Sequence, residues 1–227
     1  MNASSHAHPP VLPSLAWACT ALVGIVVPLA AMISVHEIGG QATLTLATAP
    51  ILAVGLMGSG MIGAATATRL WVGVLLALLA GVSLLVVGTV VGMAPAASTL
   101  ATALAISAAS FSFAARGALF ARSASNKGWL VALAIVAGEA AIVLTAVAEP
   151  GLLPNWLLAL LPAQWTSIAI QSSLTGEAMV AARSALIALT GTGAATLVVI
   201  WFWPRRWTYS IMFTVWIGFS ALVYHSI

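Results

Sequence analysis

Long apolar runs with almost no charge make up most of the chain, and they decide what it can fold into. A helix needs about 20 consecutive apolar residues to cross roughly 30 Å of hydrocarbon. Seven segments meet that requirement: about 13–35, 43–66, 70–94, 97–120, 128–148, 178–203 and 207–226. None alternates as an outer-membrane strand does, so the runs read as helices and not as a barrel. Composition removes the alternative of a water-soluble globule. Only 5% of the 227 residues are charged and 62% are hydrophobic, whereas a soluble domain carries roughly a quarter charged residues. The expected fold is all-α, a polytopic integral membrane bundle of about seven transmembrane helices. It forms a single domain over 13–227, preceded by a flexible tail, 1–12.

The charges are few enough to place one by one. Arg69 lies between spans two and three, Arg122 and Lys127 between four and five, and Arg205 and Arg206 between six and seven. The alternate loops hold His36, Glu37, Glu149 and Glu177 but no Lys or Arg. Seven spans with the N-terminus inside and the C-terminus outside put every basic loop in the cytoplasm. The basic residues therefore report topology, and no nucleic-acid partner is expected. The N-terminal "MNASSHAHPPVLP" has no basic residue, so residues 13–35 read as a retained first span and not a cleaved signal. Ala-, Gly- and Val-rich content with little Lys points to a bacterial inner membrane. The single cysteine, Cys19, excludes an intrachain disulfide.

One loop is substantial: "PGLLPNWLLALLPAQWTSIAIQSSLTG", residues 150–176. Pro150, Pro154 and Pro162 divide it, and Trp156 and Trp165 are side chains that prefer the headgroup level. The pattern predicts an interfacial or shallow re-entrant helix on the outer face, with one short helix near Trp156 to Leu161 nearly parallel to the surface and Trp165 in the headgroups.

Small residues recur at four-residue spacing: Gly55, Ser59, Gly63 and Ala67 in span two, and Gly73, Ala77 and Gly81 in span three. Gly88 and Gly92 then form a GxxxG. In lipid, close backbone approach replaces the hydrophobic drive between helices. The spacing predicts tight packing, and a homodimer or other membrane subunits docked through small-residue faces. The remaining partner is the bilayer itself.

The stretch that raises a chemical question is "GWLVALAIVAGEAAIVLTAVAE", residues 128–149, with Glu139 near its middle. A charge at that depth costs at least about 2.5 kcal/mol and marks a substrate, ion or proton pathway by default. Ser83, Ser107, Ser110 and the "TGTG" of Thr190 to Gly193 fall at the same level. Glycines flanking Thr192 would loosen span six, as in the broken helices of transporters. The competing reading is architectural: a carboxyl hydrogen-bonded to a neighbouring hydroxyl, with glycines that only allow packing. If Glu139 is a working site, its expected partner is a hydroxyl or backbone group of another helix, near Thr190 or Thr192 of span six or Ser107 of span four, and Ile135 and Ile142 share its wall. Arg116 and Arg183 lie inside spans four and six, each roughly 11 Å from the Glu139 level at 1.5 Å per residue. Snorkelling to the nearer interface is the default for both. Arg183 opposes the positive-inside trend, so an anionic ligand or Glu177 is its expected partner.

Other chemistry is thinly supported. His36 and His225 end spans one and seven on the same predicted side, which makes them weak metal or haem candidates, and no cofactor is expected. "MGSGM" around Ser59 lacks the glycine of an intramembrane serine-protease motif, and there is no P-loop, HExxH or paired Cys. No Lys in span seven could carry retinal. No catalytic residue is assigned. The expected function is a small permease or transporter subunit with a midplane polar site around Glu139. The alternative is a non-catalytic structural or assembly subunit of a larger membrane complex.

Overall fold

In the computed structural model of the protein, residues 11–93, 95–205 and 207–226 are described. Most of the expected N-terminal tail lies outside them, and the described chain is helical from Val11. Among the described residues every regular element is a helix and there is no strand. The protein is an all-α bundle of a multi-pass membrane type.

Six apolar helices are long enough to cross a membrane: Ser14–Gln41, Thr43–Ala67, Leu70–Val91, Thr99–Ala148, Met179–Trp201 and Trp207–Tyr224. The fourth runs for 50 residues, about 75 Å if straight, which is more than twice a hydrocarbon core. It is not straight. Ser125, at a positive φ of 50°, and a 3-10 turn over Ser125–Lys127 divide it. The arms, α5 (Thr99–Ala124) and α6 (Gly128–Ala148), pack on each other. Gly128 makes the fold-back close, since a Cβ there would stand 2.6 Å from the Phe120 carbonyl oxygen.

The first two spans join differently from expectation. No loop separates them at His36 and Glu37. After α1 (Val11–Ala21), the helix α2 (Val27–Met57) continues through that region and bends at Gly40, with φ 67° and ψ −164°. That conformation is open to glycine and costly for residues with a Cβ.

The second crossing, Thr43–Ala67, is the axis of the bundle, and 94% of its most apolar window is buried. It comprises the end of α2, a π-helical turn at Gly58–Ile62 and α3 (Gly63–Ala67). Its small residues let neighbours approach from several directions, as the four-residue spacing predicts. Gly24 of the first span abuts Ser59, and Gly73 of α4 (Leu70–Val91) abuts Ala64. Gly117 of α5 lies against the Met61 backbone. The Gly88–Gly92 pair does not pair helices. Gly92 ends α4 as a left-handed cap at φ 114°, donating its N–H to the Gly88 carbonyl, a common way to stop a helix.

The segment after α6 departs most from expectation. A four-residue helix, α7 (Asn155–Leu158), lies near the exposed Trp156. Then α8 (Pro162–Thr175) turns into the bundle and packs on α2, α5 and α9 (Met179–Trp201). Its 14 residues rise about 21 Å, too little to cross. Trp165 has no exposed surface to present to headgroups. It is fully buried, and its indole N–H donates to the Ala159 carbonyl at 2.8 Å. Pairing the indole donor with that carbonyl allows the large ring to be buried. The last helix, α10 (Trp207–Tyr224), packs chiefly on α9.

The axial contact yields a test. A Cβ at Gly117 would lie 2.9 Å from the Met61 Cα, whereas one at Gly138 of α6 meets nothing within 4 Å. Gly117→Ala should cost about 1–3 kcal/mol by overpacking. Gly138→Ala should be neutral or slightly stabilising, because alanine is the better helix former. Thermal melts of both variants in mild detergent check the contrast.

Candidate functional site

Glu139 lies nine residues short of the end of α6, about 14 Å inward along the helix. Its partner is none of the expected hydroxyls. Glu139 Oε2 accepts the backbone N–H of Ala163 at 3.1 Å. Pro162 opens α8 at its first helical position, where its missing N–H leaves nothing unpaired, and Ala163 follows. The first N–H groups of any helix lack partners within it, and here that terminus lies deep in the bundle. A carboxylate satisfies one of those donors and complements the positive end of the helix dipole. The midplane carboxylate thus holds the inner end of a half-length helix.

Arg116 does not snorkel. Its guanidinium turns into the bundle, where Nη1 donates to Ser112 Oγ and Nη2 to Thr192 Oγ1, each at 2.8 Å. The Ser112 hydroxyl donates onward to the Leu189 carbonyl at 2.8 Å, and the Thr192 hydroxyl to the Ala188 carbonyl at 2.7 Å. Each hydroxyl therefore accepts from the guanidinium and donates into α9. The Phe113 ring lies 5.9 Å from Arg116 Cζ, within the range of a cation–π contact.

Arg116 and Glu139 line one cavity of about 300 Å³ together with Thr192, Thr196 and Pro162. The remaining walls are apolar: Leu119, Phe120, Ile135, Met212, Phe213 and Trp216. The carboxylate and the α8 terminus stand at one end, and the cavity extends toward the ends of α5 and α9 that carry the basic loops. Thr196 donates its own hydroxyl to the Thr192 carbonyl at 2.7 Å. The unused guanidinium N–H groups are the cavity's strongest donors, because a guanidinium has five and two are taken.

The other sequence candidates are distributed elsewhere. Ile135 shares the cavity wall with Glu139, but Ile142 does not line it. Thr190 is exposed and bonds back to the Leu186 carbonyl, and Arg183 and Ser107 are also exposed. Ser110 is fully buried, and its hydroxyl has no partner among the described residues. The "TGTG" break is absent, since α9 is continuous through it. Its glycines serve packing: Gly191 receives Phe219 of α10, and Gly193 lies against Phe111 and Ser112 of α5. Among the described residues no three His, Cys, Asp or Glu side chains gather as metal ligands, His36 and His225 included. Ser59 is buried and donates to the Gly55 carbonyl.

Sequence reasoning missed Ser112, Thr196, Pro162 and Ala163. A usable signal was present for the last two. Pro162 precedes polar residues at 164, 167, 171 and 175, a helical spacing with proline at its start.

No protein-family model matches the chain, and neither a curated protein nor a solved structure is significantly similar to it.

The capping role predicts a contrast between two variants. Glu139→Gln keeps an oxygen acceptor for Ala163 N–H and should melt close to the parent. Glu139→Leu leaves that donor unpaired and should lose about 1–3 kcal/mol, read as a lower melting temperature by circular dichroism in the same detergent.

Proposed function

We propose that the chain is a small permease or transporter subunit of a bacterial inner membrane, with Glu139 and Arg116 as its working pair. One observation carries this reading: a carboxylate and a guanidinium from adjacent spans line one cavity beneath the inner end of a buried half-length helix. Packing alone needs neither charge, because apolar residues of similar size would fill the space without a desolvation penalty. Helices that end inside the membrane, with their termini turned to a cavity, are a recurrent way to build transport sites.

In this reading Glu139 is the switch. As a carboxylate it holds Ala163 N–H and faces Arg116. Once protonated it holds both more weakly, and the inner end of α8 is free to shift. The free guanidinium donors and apolar walls suit a small, largely apolar solute with one anionic or acceptor group. The topology belongs to the same proposal. α5 and α6 are two crossings, so there are seven in all, with the N-terminus in the cytoplasm and the C-terminus outside. A reporter active only in the cytoplasm should be silent when fused after Ile227.

The alternative, a structural subunit of a larger complex, is favoured by one fact: the bond from Ala163 to Glu139 is also what a purely architectural residue would make. Glu139→Gln separates the two readings, because it preserves that bond and removes the proton-linked charge. In a strain lacking the gene, complementation with Glu139→Gln at parental abundance should leave small-molecule pools as altered as in the deletion. Full restoration of those pools would leave only the structural role.

A further inference from the structure

A second opening flanks α8 on its outer side. Gln164, Ser167, Gln171 and Thr175 follow one another at three- and four-residue spacing, so they share one face of the helix. With Glu177 and the first turn of α9 they line a groove of about 300 Å³. The groove begins at the outer end of α8, near the Gly176 cap, and ends at Gln164, the residue after Ala163.

The polar groups along this face are under-used. The side chains of Gln164, Ser167 and Gln171 make no hydrogen bond to another described residue, and the Gln171 Oε1 is a buried orphan. Lipid tails or an apolar partner helix filling the groove would leave each unpaired polar group costing about 1–3 kcal/mol. Water removes the penalty, and a space of this size with polar groups along one wall has room for several molecules. Glu139 and Pro162 line the inner cavity, and the groove ends two residues further along α8, at Gln164.

We propose that the groove is an aqueous vestibule from the outer surface to the Glu139 gate, admitting water and small polar solutes. This rests on the permease reading, for which it supplies the second half of the path.

The test uses the full-length protein with its one cysteine replaced, Cys19→Ala, and single cysteines at Thr175, Ser167 and Leu79. Leu79 is 64% exposed on the lipid-facing side of α4 and serves as the control. A membrane-impermeant trimethylammonium methanethiosulfonate is added to intact cells, and blocked thiols are counted after denaturation with a maleimide mass tag. Denatured labelling of untreated samples confirms that each variant is present. Thr175→Cys and Ser167→Cys should both react, each at least about tenfold faster than Leu79→Cys, because a thiol forms its reactive thiolate only where water reaches it.

An unreactive Ser167→Cys beside a reactive Thr175→Cys would overturn the proposal, since the groove would then be blocked by lipid or another subunit. Reaction only in inside-out vesicles would overturn it as well. The same labelling in a Glu139→Gln background keeps the two readings apart. A Glu139→Gln protein with normal function and a reactive Ser167→Cys would end the permease reading while leaving the vestibule intact.

Discussion

A helix that starts inside a bundle presents first N–H groups that have no partner within the helix and that lipid cannot pair, and the architecture around α8 answers that problem. Proline at its first position removes one donor, and the Glu139 carboxylate takes the next. A carboxylate buried to serve a helix end needs a counter-charge, and Arg116 on α5 stands across the same cavity. A guanidinium in that position needs acceptors in turn. Ser112 and Thr192 accept from it and pass their own protons to carbonyls of α9. Each group is explained by the one before it, and the series ties α6, α8, α5 and α9 together at mid-depth. Buried polar networks of this kind favour a single arrangement only when every member is satisfied.

The rest of the bundle makes the polar series affordable by packing closely around it. The axial crossing Thr43–Ala67 is buried on nearly every side, and glycines set its distances to the first span, α4 and α5. With no hydrophobic drive between helices in lipid, this contact area and the interhelical hydrogen bonds hold the assembly. α5 takes part in both systems. Its Gly117 presses on the axis one residue from Arg116, so axial packing fixes where the guanidinium stands.

Fold class, most crossings and Glu139 as an isolated carboxyl group inside an apolar helix were legible in the sequence, because length, hydropathy and a lone mid-span charge are local properties. Arg116 was legible as a candidate but not as a partner. Residue counting placed it roughly 11 Å from the Glu139 level, and only the long side chain and the packing of α5 on α6 bring both to one cavity. The loop 150–176 was legible in its short helix, α7, and less so at Trp165. Trp165 looks interfacial because tryptophan usually is, yet here its one donor finds the Ala159 carbonyl and the ring is buried. The "TGTG" of α9 misled in the opposite way. Glycine permits a break without causing one, and Phe219 and Ser112 occupy the space that each glycine leaves.

The asymmetry of the walls says where movement costs least. On one side the polar series is held by α5 and α9, helices that pack on each other and on α8. On the other side stands α10, held chiefly by α9, with only 17% of its most apolar window buried. α10 contributes Met212, Phe213 and Trp216 to the cavity but makes none of the hydrogen bonds that fix the charges. Moving α10 exchanges apolar contact for lipid contact of similar energy, whereas moving α5 or α9 breaks bonds to a buried guanidinium. The inner end of α8 is intermediate, held to α6 by the Ala163 bond to the carboxylate whose charge one proton removes. On the permease proposal, the wall fixed by hydrogen bonds, the apolar wall of α10 and the helix end held by a titratable group are the parts that a gate would use.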